Sequence, residues 1–172
     1  IEHILHAAGV SNRIGRVEDG NTVGDYLEEE IQRQQTICMK LMHVPWNGAR
    51  VHLVDHPGYV DFIGEVAASV PVLDGLIILV DAGTGIQVGT DNAIAYADKH
   101  QVPRAIFVNK LDRENTDFYA VTSQLQEAYG QQCVPIVIPV GQGERLSGVV
   151  TVLGPGSPEV ADRIESLRSR RV

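Results

Sequence analysis

Two short stretches carry residue types that can do chemistry: Asp55-His56-Pro57-Gly58 and Asn109-Lys110-Leu111-Asp112. The second ends in a carboxylate that can accept hydrogen bonds from the N1–H and the exocyclic amine of guanine. Adenine offers neither donor there and would leave a buried charge unpaired. Asn109 can tie such a base to neighbouring loops, and the Lys110 stem can lie along the base plane. As a bare tetrapeptide the motif is equally a charged turn. Its place directly after the apolar Ile106-Phe107-Val108 favours the base reader. In Asp55-x-x-Gly58 the carboxylate can hold magnesium through a water, because magnesium keeps part of its hydration shell. The Gly58 N–H can touch a terminal phosphate where a side chain would crowd it, and loss of that contact on hydrolysis would switch the loop. A plain turn is the ordinary alternative. Thr36, at the end of a polar loop, offers a hydroxyl for the same magnesium ion, or simply opens a strand.

An absence is equally informative. A phosphate cradle of the Gly-x-x-x-x-Gly-Lys-Ser/Thr kind needs a Gly-Lys pair. The lysines are Lys40, Lys99 and Lys110, and they follow Met, Asp and Asn. Other candidates are weaker. The six histidines show no ligand spacing on a helix with an acidic partner. Glu65 and Glu127 read as solvated helix residues, and Trp46 as packing beside a turn.

At 172 residues and 44% hydrophobic content, the chain can bury one core. The net charge of −8 argues against a broad surface for nucleic acid. No direct sequence-specific nucleic-acid binding is expected, although a local patch could still meet a ribosome. Arg163, Arg168, Arg170 and Arg171 read as a solvated helix face or tail. Cys38 and Cys133 are too few for a disulfide framework and read as reduced core thiols, which suits a cytoplasmic protein. No apolar run is long enough to span a bilayer, so no membrane partner is expected. The first residue is Ile1, which suggests a fragment or a record that omits upstream residues.

These residues must be positioned by elements that can be traced along the chain. Ile1, Ile4, Leu5 and Ala8 have helical spacing, and Gly9 is a stop. Residues 11–26 are polar and glycine-rich, as a long loop is. A short helix is predicted over 28–35 and an alternating strand over 36–46. Asn47-Gly48 is a two-residue hairpin turn, and the next strand ends at Asp55. Strand and helix then alternate: helix 62–72 interrupted near Pro71, strand 76–80, helix 90–100, strand 105–108, helix 118–129 closed by Gly130, and strand 134–140. The run Leu76-Ile77-Ile78-Leu79-Val80 is typical of a strand buried on both faces. Such units imply an α/β fold with a parallel sheet, right-handed crossovers and helices on both faces. Ligands on such sheets sit at the carboxyl ends of strands, where Asp55, Asp81 and Asn109 fall. Gly154-Pro155-Gly156-Ser157-Pro158 reads as a linker and 159–171 as a surface helix.

Taken together, Gly15-Arg16-Val17-Glu18-Asp19-Gly20-Asn21-Thr22, Asp55-His56-Pro57-Gly58-Tyr59-Val60-Asp61-Phe62, Val80-Asp81-Ala82 and Asn109-Lys110-Leu111-Asp112-Arg113 closely resemble the GTPase domain of bacterial elongation factor G and elongation-factor-G-like proteins. The likeness runs to about residue 152. It implies a P-loop GTPase-type, mostly parallel sheet with helices on both faces, truncated at its N-terminus: the first strand and phosphate loop would end immediately before Ile1. Residues 1–140 would be the translational GTPase domain and 141–172 the start of an inserted subdomain or a tail. The resemblance implies GTP and GDP binding, a magnesium ion, the ribosome as partner of the full-length protein, and GTP hydrolysis coupled to a step of translation. By matching positions, Thr36 and Asp55 would hold magnesium, Asp55 through water. Asp55, His56, Pro57, Gly58 and Tyr59 would form the second switch, and Asn109, Lys110, Leu111 and Asp112 the guanine reader.

The chain departs from that family at three places. Position 56 is usually Thr and here is His56. Position 59 holds a water-positioning histidine in classical members and here holds Tyr59, as in the elongation-factor-G-like subgroup; Tyr can hydrogen-bond water but cannot be an imidazolium near neutral pH. The glycine usual before the switch threonine is replaced within Arg33-Gln34-Gln35-Thr36. These changes keep open a second reading, a non-hydrolysing ribosome-binding module. Two further expectations follow from the missing strand and the missing cradle: unpaired sheet edges, and greatest mobility over residues 11–35 in the absence of nucleotide.

Overall fold

A computed structural model of the protein describes residues 1–153. In chain order its elements are helices α1 (Glu2–Ala7) and α2 (Glu28–Arg33), strands β1 (Lys40–Trp46) and β2 (Ala49–Asp55), helix α3 (Ile63–Ser69), strand β3 (Leu76–Asp81), helix α4 (Val88–His100), strand β4 (Arg104–Asn109), helix α5 (Phe118–Tyr129), and strands β5 (Val137–Val140) and β6 (Gly148–Thr151). The predicted linker from Gly154, the helix over 159–171 and its arginines lie outside the described residues. The chain divides into two compact units. One holds Ile1–Asp74 and Tyr96–Val102, and the other holds Gly75–Ala95 and the residues from Pro103 onward.

In the first unit, β1 and β2 form an antiparallel hairpin with Lys40 opposite Asp55 and Trp46 opposite Ala49. The turn is Asn47-Gly48, with φ of 48° and 80°, the left-handed pair that a tight hairpin needs and that Asn and Gly tolerate. Helix α3 is short because 3₁₀ turns flank it at Val60–Phe62 and Val70–Val72, the latter containing Pro71, which has no N–H to continue the ladder. Leu5, Val44, Val70, Ala97 and Val102 are this unit's buried apolar residues. His43 and His52 face each other across the hairpin, Nδ1 to Nδ1 at 2.9 Å.

In the second unit, β3 and β4 pair in parallel from Leu76 opposite Arg104 to Asp81 opposite Asn109. Helix α5 starts where the Asp117 carboxylate accepts the N–H groups of Tyr119 and Ala120, and it ends at Gly130, φ 98°. Its inward residues, Phe118, Val121 and Leu125, are spaced by three and four as one helical face requires. Val121 and Leu125 pack with Val80, Ile106 and Val108; Phe118 packs with Ile138 and Val152.

Three expectations change. The single, mostly parallel sheet is replaced, among the described residues, by three two-stranded sheets: antiparallel β1–β2, parallel β3–β4 and antiparallel β5–β6. The strand over 76–80 is buried on one face only. Ile78 and Val80 are covered, while Ile77 and Leu79 are 64% and 63% exposed. A continuous apolar run shows that both faces could be covered, not that they are. Cys38 is exposed rather than a core thiol, because it precedes the paired part of the strand; Cys133 is half-buried.

Candidate nucleotide site

The magnesium-type residues are assembled within the first unit. Asp55 is the last residue of β2, and its opposite number on β1 is Lys40. Thr36, three residues before the α2–β1 loop reaches Met39, donates its hydroxyl to Asp25 Oδ1 at 2.8 Å. The Asp25 N–H is in turn bonded to Thr22 Oγ1. Burial pushes the Asp55 carboxyl above its ordinary value, and the Asp25 charge pushes the same way. The Thr36 hydroxyl and the Asp25 carboxylate are thus hydrogen-bonded to each other, and the Asp25 charge acts on Asp55. That donor set suits a hard, oxygen-seeking cation such as magnesium, which would relieve the repulsion. Sequence reasoning misses Asp25. It sits among glycines and acids in a stretch that reads as plain loop, and only its spacing before Thr36 could have marked it.

The turn after Asp55 has separate roles along its length. The His56 ring is drawn towards α3, with Nε2 2.5 Å from Ser69 Oγ, and burial lowers its pKa. The ring is therefore engaged within the chain itself. Pro57 is buried, whereas Gly58 and Tyr59 are exposed. A Cβ added at Gly58 would meet no atom within 4 Å. Nothing in the chain itself demands a glycine there, which leaves the close approach of a ligand as the physical reason for one. Tyr59 is 59% exposed, with its side chain open to solvent.

The residues expected to read guanine, Asn109 to Asp112, lie in the second unit at and just beyond the carboxyl end of β4. Asn109 Oδ1 accepts the Lys110 N–H at 2.9 Å, and the Asn109 carbonyl accepts the Ala82 N–H from beyond β3. Lys110 has φ 62°, which turns the chain sharply out of the strand. Its Nζ lies 2.7 Å from Asp81 Oδ2, and Asp81 Oδ1 takes the Gly83 N–H at 2.8 Å. The Lys110 ammonium, first, and the Gly83 amide hold the Asp81 carboxyl below its ordinary value. Leu111 is the loop's anchor: its side chain packs on the Phe118–Ile138–Val152 cluster, and its carbonyl accepts Thr116 Oγ1 and the Gly143 N–H. Asp112 is exposed, and among the described residues no partner engages its carboxylate. A loop held at Asn109, Lys110 and Leu111 thus presents the Asp112 carboxylate directly after its anchored residues.

The model of the elongation factor Tu GTP-binding domain matches residues 1–161. The chain belongs to this family. Relatives of the GTP-binding domain include a protein named mitochondrial ribosome-releasing factor 2 of Culex quinquefasciatus, 39% identical over 94% of this chain and 22% of its own length. An elongation factor G of Gluconobacter oxydans is 41% identical over 88% of this chain and 22% of its length. The chain therefore spans about a fifth of the length of these curated relatives. A crystal structure of a Thermus thermophilus protein superposes with a TM-score of 0.89 at 31% identity, covering 98% of this chain and 27% of that one.

Within this GTP-binding domain, one group of consequence escapes a reading of the sequence. Glu30, the third of three consecutive glutamates, is fully buried. In sequence it is one residue of the short polar helix predicted over 28–35, with no role of its own. Its carboxylate accepts from the N–H groups of Leu27, Ile37 and Cys38 and lies 2.7 Å from Lys40 Nζ. Lys40 is itself buried, with its ammonium 4.7 Å from the centre of the Tyr26 ring. The preceding loop is also bonded rather than bare. Glu2 Oε1 accepts Val23 N–H at 2.9 Å, and Glu2 Oε2 accepts Gly15 N–H at 3.2 Å. A Cβ at Gly15 would fall 2.7 Å from the Asn21 carbonyl oxygen, so only glycine fits.

Proposed function

We propose that the protein binds guanine nucleotide with magnesium and hydrolyses GTP in support of a ribosomal step of translation. The observation that carries this reading is the loop after β4, in which Asn109, Lys110 and Leu111 are all fixed and the exposed Asp112 carboxylate follows directly after them. A rigidly presented carboxylate is what selective recognition of the guanine N1–H and amine requires. The Thr36–Asp25 hydrogen bond and the Asp25 charge acting on Asp55 support a magnesium site, with Asp55 acting through water. Gly58 and Tyr59 would face the terminal phosphate and the attacking water. The name of the Culex relative, a ribosome-releasing factor, supports the ribosome as partner, and that of the Gluconobacter relative, an elongation factor, supports a step of translation. We infer a P-loop GTPase-type sheet with helices on both faces for the complete domain; the parallel β3–β4 pair and the apolar residues on its uncovered face support this. Free cysteines suit the cytoplasm as compartment.

No Gly-x-x-x-x-Gly-Lys motif lies within these 172 residues. A phosphate cradle supplies much of the triphosphate affinity through its N–H groups and lysine. The test is therefore GDP and GTP calorimetry with magnesium on this chain and on a form extended with its upstream coding sequence. The extended form is expected to bind and this chain to bind weakly or not at all. In the extended form, Asp112→Asn should weaken GDP by about a hundredfold and favour xanthosine diphosphate, because an amide can donate to the xanthine oxygen where the carboxylate accepted. Failure of both forms to bind would overturn the reading.

Tyr59 favours a second reading, a ribosome-docking module that binds nucleotide without turnover. A phenol cannot carry a proton as an imidazolium does near neutral pH. Turnover of the full-length protein with and without ribosomes separates the two. Stimulated hydrolysis that depends on Tyr59 removes the docking reading, and its absence removes the GTPase.

A further inference from the structure

Glu30 is a carboxylate withdrawn from water and saturated with donors. Three backbone N–H groups and one ammonium surround it, and no side-chain oxygen or nitrogen buried among the described residues lacks a hydrogen-bond partner. Two of those N–H groups, Ile37 and Cys38, directly follow Thr36. The third belongs to Leu27, two residues after Asp25. One buried group thus grips the loop on both sides of the Asp25–Thr36 hydrogen bond. A loop whose only task was to link α2 to β1 could satisfy these amides with water, at no cost of burying charge. Burying an ion pair instead is a poor route to stability and a good route to one defined geometry. Lys40 completes the arrangement from the first residue of β1. Its ammonium neutralises Glu30, while Tyr26, from the loop itself, covers it. The clamp therefore ties the loop to the hairpin strand that leads, through its register with Asp55, to the magnesium-type residues.

We propose that Glu30 is a positioning residue: paired with Lys40, its carboxylate fixes the backbone around Thr36 and sets the Thr36 hydroxyl beside Asp25 before any nucleotide is bound. The proposal rests on the magnesium role given above to Thr36. It goes beyond that role by assigning the loop's order to the chain's own interior rather than to the nucleotide. A loop ordered chiefly by its ligand would have free amides at Ile37 and Cys38.

Amide hydrogen exchange by NMR on the unaltered 172-residue chain, without nucleotide or magnesium, reads the clamp directly. The Ile37 and Cys38 amides are expected to exchange at least about a hundredfold more slowly than in an unfolded peptide. Exchange at the unfolded rate overturns the proposal, and this measurement needs no variant to fold. Glu30→Gln keeps the shape and one acceptor oxygen but loses the charge, and Lys40→Met keeps the stem without the ammonium. Both should speed exchange at Ile37 and Cys38 while leaving the α5 amides protected. If both leave the two amides unchanged, the proposal fails. The positioning role is then read in the nucleotide-binding extended form. There Glu30→Gln should raise the magnesium concentration for half-maximal GTP binding about tenfold, with GDP affinity in the absence of magnesium unchanged. An unmoved magnesium midpoint overturns the role. Thr36→Ala in the same assay tests the underlying reading separately. If it too leaves the midpoint unmoved, the magnesium assignment is what has failed, even where the exchange data uphold the clamp.

Discussion

At the scale of single residues, charge placement decides what this chain holds still. Burial on its own would raise the Glu30 pKa. The Lys40 ammonium and the Ile37, Cys38 and Leu27 amides outweigh it and hold the carboxyl at about 2, from an ordinary 4.5. The folded state therefore binds this proton less readily than the unfolded chain does. The resulting stability is fully present above pH 4.5 and is lost as pH falls from there through about 2. A shift of this size corresponds to roughly 3 kcal/mol. Asp55, whose pKa is raised, works in the opposite direction and is common to both proteins in a comparison. Urea unfolding at stepped pH should then show Glu30→Gln less stable than the unaltered chain at pH 7 by about 3 kcal/mol, with the gap closing towards pH 2. A constant gap would mean that the charge is irrelevant. Asp55, Asn109 and Asp112 are marked as candidates in the sequence because each belongs to a short pattern at the end of a strand, whereas Thr36 is marked only by the resemblance. Glu30, Lys40 and Asp25 are not marked, since their significance lies in burial and in contacts across several residues that no local pattern encodes. Glu30 looks the same as Glu28 and Glu29, which are not buried.

At the scale of elements, periodicity and turn chemistry carry most of the information. Helix α5 ends at Gly130 as its sequence predicts, and β1–β2 turns at Asn47-Gly48. The β5–β6 pairing is not legible, since β6 has four residues and its partner lies across a glycine-rich turn. Two glycines at opposite ends of β2, one in the turn before it and one in the loop after it, separate fold from ligand. Gly48 sits at φ 80°, where any side chain is strained, and Gly58 sits in open space at ordinary φ. Gly48→Ala should therefore cost about 1 kcal/mol or more in folding. Gly58→Ala should leave the thermal midpoint within about 2 °C of the parent, since no atom is displaced. In the extended form the order reverses: Gly58→Ala should weaken GTP more than GDP, and Gly48→Ala should affect neither. Calorimetric midpoints and nucleotide titrations on the same two variants check both halves. A Gly58→Ala protein that unfolds early would show that the glycine serves the fold after all.

At the scale of the molecule, the open matter in the sequence is what the apolar strands pack against. Hydrophobic runs over 76–80 and 106–108 foretell buried strands, and they are half right. Ile78 and Val80 are buried, whereas Ile77, Leu79 and Phe107 form an exposed apolar row across β3 and β4. Leu79 and Phe107 are register partners, so the row is contiguous across the pair. Sequence pattern cannot distinguish a strand that has both faces covered from one that has the means for it, because the residues chosen are the same. Contiguous exposed apolar surface on a sheet is a site of association. The 172-residue chain should consequently self-associate as its concentration rises, despite a net charge of −8 that opposes it. Sedimentation velocity on the chain and on a Leu79→Lys, Phe107→Glu double variant tests this. The two charges are opposite and directly across from one another, so the pair can tolerate them on a wet face. The variant is expected to remain monomeric at concentrations where the parent forms larger species, with circular dichroism unchanged. If the variant unfolds, the single substitution Ile77→Thr, which shortens the apolar row without charge, should still shift the onset of association upward. Equal association by parent and folded variants would place the sticky surface elsewhere and would mean that the row on β3 and β4 is covered in solution.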